Sequence, residues 1–502
     1  LMDGCYDENC GKGEEMPQPV RKLYEKGLFR KKRIGKGPRE GNETTEEDFA
    51  VLFQEIGEKE WEQSRTRAKK CTKPGKSGIT KPAIRHLGKE QWDDIRRLLN
   101  MADNAEYEME QHRWAQLFLI RKDPNVASIN RHRMLVFEDE ILKRRDSVLE
   151  ARVDKLLTEL GLLEEEQYGF TKAGDTSTAI YTVASAIEDA RVRDKEIWIE
   201  FKDQEKAFDT LEAFQGKVMS CMVLGIPIRI AQKWLRFDKS LMVEIINAYG
   251  TSAEQLGTHK GSFTPVCGGL QGGPRSPGMW KRFYDILIKA QKLEHKGELA
   301  EIEGEDGIIT LTSVVFADDT VNMGANNENI TDRGKTAQEF SDYAGCHTKA
   351  GKSFLGALIK CLDTGDYRKP VPEENIYYKR LDSELVEGCQ LLGPMDRVRY
   401  LGWFTAMSNE VDESFKQMKE ECDDRLGKMA SKRCTGGEFM QFVKIAEVPR
   451  ILHRMRHSDT GKESIDKIQK MYNRTYKLKG RIVRSMPNEV MWSSKERCGM
   501  DW

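Results

Sequence analysis

Three aspartates offer the clearest chemistry in this 502-residue chain: Asp203, Asp318 and Asp319. Asp203 closes the apolar run Ile197-Trp198-Ile199-Glu200-Phe201. Asp318 and Asp319 stand between two short runs, Leu311 to Phe316 and Thr320 to Met323. The first run reads as a buried strand; the other two, joined by Ala317-Asp318-Asp319, read as a hairpin with acids at its tip. Carboxylates on rigid strand ends hold hard cations through oxygen. Two Mg²⁺ ions about 3.5–4 Å apart stabilise the attacking and leaving oxygens of phosphoryl transfer, and a trio of Asp fits that task. If strand and hairpin are sheet neighbours, Asp203 and Asp318 converge on one edge. Adjacent strand residues face opposite sides, so Asp318 is read as the direct metal ligand and Asp319 as the auxiliary. Asp is also common at hairpin tips for its turn chemistry, and Asp-Asp alone would not carry this reading.

The elements around these acids are mostly helical. Apolar spacing predicts helices over Trp92 to Met101, Tyr107 to Leu119, Ile141 to Leu157, Thr178 to Ala190 and Phe208 to Leu224. After Tyr400-Leu401-Gly402 the pattern turns helical again. Phe415, Met418, Cys422, Leu426 and Met429 form an apolar stripe there. Residues 1 to about 75 read as a charged extension with loops, punctuated by Gly11-Lys12-Gly13 and Gly35-Lys36-Gly37-Pro38.

With the surrounding residues included, the acids acquire a family. Phe201-Lys202-Asp203-Gln204-Glu205-Lys206-Ala207-Phe208-Asp209 resembles motif A of LINE-type (non-LTR) retrotransposon reverse transcriptases. Gly269-Leu270-Gln271-Gly272-Gly273-Pro274-Arg275-Ser276-Pro277 resembles motif B, usually Gln-Gly-x-Pro-Leu-Ser-Pro. Phe316-Ala317-Asp318-Asp319 resembles motif C. The order A, B, C is the family's order, and the three together are specific where each alone is only suggestive.

The resemblance implies further roles. The aromatic five positions after Asp203 is Phe208, which would block a ribose 2′-hydroxyl. Gln271 and Gly272 would lie near the incoming nucleotide and template base. Leu119-Ile120-Arg121-Lys122-Asp123 and Arg133-Met134-Leu135 resemble the family's Ile-Pro-Lys and Arg-Pro-Ile, which makes Lys122 and Arg133 candidates for the triphosphate. Gln167-Tyr168-Gly169-Phe170 resembles a Gln-x-Gly-Phe segment, so Gly169 and Phe170 would lie near template. Gly345 to Ser353 resembles motif D, in which Lys352 would protonate the leaving pyrophosphate. Arg399-Tyr400-Leu401-Gly402 resembles motif E, which implies that Tyr400, Leu401 and Gly402 grip the primer. Pro74-Gly75-Lys76-Ser77-Gly78-Ile79 resembles Pro-Gly-x-Asp-Gly-Ile upstream. The match runs over roughly residues 73 to 405.

That family implies an α+β right-hand fold. Fingers would span 76–195, a palm with an antiparallel sheet 196–405, and a helical thumb with a C-terminal tail 406–502, after the extension at 1–75. It also implies two Mg²⁺ ions, with Mn²⁺ as a substitute, and an RNA template, a DNA primer and deoxynucleoside triphosphates as partners. Four positions depart from the family wording: Arg121, Met134, Thr171 and Arg275. They keep open an alternative, a catalytically decayed RNA-binding or maturase-like scaffold. The intact carboxylates oppose full loss.

Composition bounds these readings. Hydrophobic residues make up 38% and charged residues 32%, and no apolar run approaches a membrane span. No secretory signal is visible, so a nuclear or cytoplasmic, non-secreted protein is expected. The chain opens on Leu1, which suits a piece of a longer reading frame. Its net charge is -1, weak support for a nucleic-acid enzyme. Basic stretches at Arg30 to Arg39, Arg65 to Lys76 and Arg450 to Arg484 can nonetheless face phosphates while acids elsewhere cancel the sum. The eleven cysteines include no Cys-x-x-Cys pair, and Cys5 and Cys10 have no His/Cys cluster after them, which argues against zinc and for reduced thiols.

Overall fold

The computed structural model describes residues 44–66, 73–122, 132–171, 174–205, 210–211, 218–247, 249–265, 272–294, 300–304, 307–361, 363–379, 384–407, 412–455, 462–482 and 486. Its class is α+β, with helices packed on two mixed sheets. The elements that matter run in this order. Helices α1 (Glu58–Thr66) and α2 (Lys89–Asn104) precede strands β1 (Trp114–Arg121) and β2 (His132–Glu138). Helices α3 (Glu140–Glu159) and α4 (Thr176–Val192) lead to β3 (Ile197–Glu205). Then come α5 (Ile228–Ser240), β4 (Met242–Asn247), α6 (Arg275–Glu294), β5 (Ser313–Phe316), β6 (Asp319–Gly324), α7 (Asn327–Ala344) and β7 (Phe354–Lys360). The hairpin β8 (Arg397–Tyr400) and β9 (Trp403–Ala406) follows. The chain continues in α8 (Asp412–Ser431), α9 (Gly436–Phe442), α10 (Val448–Met455) and α11 (Lys462–Lys479).

Two sheets organise the described residues. In the first, β1 pairs antiparallel with β2 and parallel with β4. In the second, the order β7-β3-β6-β5 is antiparallel throughout. The second sheet is covered on both faces, which is why Ile197 to Phe201 reads as a continuous apolar run. Ile199, Phe201, Val321 and Met323 pack with Ile180, Val183 and Ile187 of α4 and with Tyr400 and Trp403 of the β8-β9 hairpin. Trp198 packs on the other side with Ile330 of α7 and Tyr378. Helices α6 and α7 meet through Phe283 and Phe340, whose rings lie 4.9 Å apart.

Caps fix where the helices start. Asp139 accepts from the N–H groups of Ile141 and Leu142 at α3, and Asp175 accepts from Thr178 at α4. Asn326 does the same at α7, which ends on Gly345 at φ 69°.

Four expectations change. Tyr107 to Leu119 is not a helix: a short 3₁₀ turn, Glu110–Arg113, leads into β1. There Ala115 and Leu117 are buried while Phe118 and Ile120 are exposed; apolar residues on both faces of the strand hide its period of two from the sequence. The extension up to residue 75 carries helices as well as loops. Residues 47–53 and 58–66 are helical, with Trp61 stacked on Trp92 at 4.3 Å. Arg152 of α3 holds that segment by donating to the Gln54 and Glu55 carbonyls. The chain after Gly402 first returns as β9, because Leu401 and Gly402 both adopt positive φ and close a hairpin. Finally, the first arm of the carboxylate hairpin begins at Ser313; Leu311 ends a separate strand, Gly307–Leu311. Of the helix expected over Phe208 to Leu224, the described residues include a short helix at Met219–Val223.

Candidate active site

The site is built by the register of β3 against β6. Asp319 is the first residue of β6 and pairs directly with Asp203; Val321 pairs with Phe201 and Met323 with Ile199. Directly opposed residues share a face, so both carboxylates emerge on the face that also carries Phe201 and Val321. Asp318 is one residue earlier, exposed in the two-residue turn that joins β5 to β6. Ala317 makes the turn with φ 59°, a conformation that favours glycine.

Neighbouring segments hold this turn in place. Trp280 of α6, almost wholly buried, donates its indole N–H to the Ala317 carbonyl at 2.7 Å. From the other side, Tyr168 N–H donates to the Val315 carbonyl at 2.8 Å and Val315 N–H to the Glu166 carbonyl at 2.9 Å. This brings Gly169 against the turn. A Cβ on Gly169 would lie 2.4 Å from the Ala317 nitrogen, so only glycine fits. Asp203 is pinned through its backbone. Its N–H donates to Ser353 Oγ at 3.1 Å, and its carbonyl accepts from Lys349 N–H at 2.8 Å.

The electrostatics follow from this crowding. Burial pushes the Asp319 carboxyl up to about 7, and the charges of Asp318 and Asp203 push the same way. Burial also raises Asp203; Lys352 pulls it back, and Asp318 adds to the rise. Tyr400 is raised by burial and then by Asp319, and its buried hydroxyl has no hydrogen-bond partner among the described residues. A cation would relieve this repulsion, and the donors are all carboxylate oxygens, which suits a hard ion. Among the described residues no three acid, His or Cys groups already converge at metal-ligand spacing. The set offered to an ion is a facing pair, Asp203 and Asp319, with Asp318 beside it.

The other candidate residues lie in several places. Lys352 is exposed and close enough to act on Asp203, and Tyr400, Leu401 and Gly402 form the β8-β9 turn on the same side of the sheet as Asp319. Phe170 follows Gly169 with φ 60° and is 44% exposed. Lys122 and Arg133 are exposed where β1 and β2 meet the segment between them; among the described contacts none links them to the carboxylates. Gly272 lies against β2, its absent Cβ 3.0 Å from the Val136 carbonyl. Phe208 and Gln271 lie outside the described residues.

Sequence reasoning missed Trp280, Ser353 as the partner of Asp203, and His453. The His453 ring of α10 meets the Leu401 carbonyl through Nε2 at 2.9 Å. A lone Trp, Ser or His within an apolar pattern carries no signal of such a contact.

A family model described as "Reverse transcriptase (RNA-dependent DNA polymerase)" matches residues 120–404. The chain is also 21% identical over 417 residues to the "Retrovirus-related Pol polyprotein from type-1 retrotransposable element R2" of Nasonia vitripennis. That alignment takes in 82% of this chain and 37% of the relative, so the chain spans little more than a third of that protein's length. Among the described residues no helix is long and apolar enough to cross a membrane.

Proposed function

This chain belongs to the reverse transcriptase (RNA-dependent DNA polymerase) family, and we propose that it extends a DNA primer along an RNA template as the polymerase of a non-LTR retrotransposon. The observation that carries the proposal is the β3-β6 register that opposes Asp319 to Asp203 beside Asp318. In this reading residues 76–195 are the fingers, residues 196–405 the palm, which carries the second sheet, and residues 406–502 the thumb with a C-terminal tail. Asp203, Asp318 and Asp319 would hold two Mg²⁺ ions, or Mn²⁺ in their place. The ions would supply charge to the attacking 3′-oxygen and the leaving pyrophosphate.

The remaining roles belong to the chain's own side chains. Lys352 is proposed to donate a proton to the leaving pyrophosphate; its influence on Asp203 supports that role. Lys122 and Arg133 are proposed to bind the triphosphate, which their exposure at the end of the β1-β2 pair permits. Phe208, Gln271 and Gly272 would shape the nucleotide pocket. Gly169 and Phe170 would meet the template, and the turn at Tyr400, Leu401 and Gly402 the primer terminus. The setting would be nuclear or cytoplasmic.

The test is extension of oligo-dT on poly-rA with dTTP and Mg²⁺, comparing the parent with Asp318→Ala. Extension by the parent and not by the variant supports the reading. A folded parent that binds RNA and extends nothing would favour a catalytically decayed scaffold.

A further inference from the structure

Arg275 occupies the position at which the motif B wording has Leu, and three acids surround it. Only 14% of its side chain is exposed. Its Nε lies 2.9 Å from Asp146 Oδ2 of α3. Its Nη2 lies 3.8 Å from Glu138 Oε1 at the end of β2 and 3.9 Å from Asp238 Oδ1 of α5. The guanidinium also stacks on Phe237, 4.1 Å from the ring centroid. A Leu at this position could cover Phe237, but it would leave the buried Glu138 without its nearest cation.

The turn just before Arg275 is seated on the same strand end. Gly272 takes φ 107°, with space for a Cβ only 3.0 Å from the Val136 carbonyl. A Cβ on Gly273 would lie 2.7 Å from Glu138 Oε2. That oxygen is buried and has no hydrogen-bond partner among the described residues. Burial pushes the Glu138 carboxyl up to about 7 against the pull of Arg275. The guanidinium itself stays charged, because Asp146, Asp238 and Glu138 outweigh the effect of burial. The arginine and its acids come from four different elements, α6, β2, α3 and α5, so the charge cluster ties the start of α6 to the first sheet and its helices.

We propose that Arg275 is a positioning residue that clamps the Gly272–Pro274 turn onto the end of β2 and thereby sets where the turn meets the incoming nucleotide. The nucleotide part of this proposal rests on the polymerase reading; the clamp does not.

The experiment uses the full chain with Arg275→Leu and Arg275→Lys and takes two readouts. Amide hydrogen exchange over 132–146 and 272–280 reports the clamp without any activity. Steady-state extension on poly-rA/oligo-dT gives KM for dTTP separately from kcat. Arg275→Leu, although it restores the wording of the motif, should speed exchange in both segments. It should also raise KM about tenfold while kcat moves less than about threefold. Arg275→Lys should recover most of both. Unchanged exchange in Arg275→Leu overturns the clamp. Faster exchange with unchanged KM, or a fall in kcat alone, reduces Arg275 to a structural residue and overturns the positioning role. A parent that extends no primer removes the nucleotide part, while exchange still decides the clamp. Should Arg275→Leu fail to fold, Asp238→Asn carries the test: a KM raised about twofold or more supports the proposal, and an unchanged KM overturns it.

Discussion

Asp319 faces Asp203 directly across the ladder between β6 and β3, so two carboxylates share one face of a covered sheet and the charge of Asp203 adds to the rise that burial imposes on Asp319. Such an arrangement is unfavourable for the empty protein and favourable for one that holds a cation. Removing a donor should therefore cost activity without costing the fold. Asp203→Ala and Asp318→Ala should each reduce primer extension at least about 100-fold. Circular dichroism and the melting temperature should stay close to those of the parent. A variant that retains full extension would exclude its aspartate from the site.

The raised carboxyl of Asp319 gives a signed pH dependence. Folding lifts it from its ordinary 3.8 to about 7. Between those values the folded chain keeps a proton that the unfolded chain has released. The stability contributed by this group is therefore present below about pH 4, falls as pH rises through that window, and stays low above about pH 7. In metal-free protein, Asp319→Asn should raise the melting temperature more at about pH 8 than at about pH 5. Mg²⁺ should stabilise the parent at about pH 8 by mass action, and Asp319→Asn less. Equal shifts at both pH values would count against the charge cluster.

Gly169 tests the support beneath the turn. Its replacement by Ala would drive a methyl carbon into the backbone of Ala317, at 2.4 Å if nothing moved. Backbone cannot rotate away as a side chain can. Gly169→Ala should therefore destabilise the fold by about 1–3 kcal/mol in urea unfolding and should also lower primer extension. Full extension at unchanged stability would show that the turn does not depend on this contact.

His453 joins α10 to the β8-β9 turn through the Leu401 carbonyl. His453→Ala should free the turn from the C-terminal helices. KM for the primer–template should rise about threefold to tenfold, with little change in KM for dTTP. A rise in KM for dTTP alone would place the effect at the nucleotide instead.

A buried polar layer lies behind the carboxylates. Tyr378 donates its hydroxyl to Glu200 Oε1 at 2.5 Å, and Asn322 donates to Glu200 Oε2 at 2.7 Å. Tyr378→Phe would leave Glu200 Oε1 with the weak Cys389 thiol, 4.0 Å away, in place of its hydroxyl donor. It should cost about 1–3 kcal/mol of stability by urea unfolding. No change in stability would mean that water replaces the hydroxyl.

Much of this molecule was legible in its sequence because the signals are local. The apolar run ending at Asp203, the paired acids after Phe316 and the glycines at 272 and 402 each carry their conformation within a few residues. So do the long helices: Ile141 to Leu157 and Thr178 to Ala190 lie within α3 and α4, and the stripe of Met418, Cys422 and Leu426 is buried. What the sequence could not determine is which residues of separate elements meet. Register is set by how whole strands pack, and it decided that Asp319 rather than Asp318 stands opposite Asp203. Packing also decided that residues 114–121 form a strand, since β2 and β4 satisfy their backbone groups on both sides. It likewise gathered Glu138, Asp146 and Asp238 around Arg275. Those three acids are scattered along the chain, and a buried guanidinium selects its partners through space, which a linear pattern does not encode.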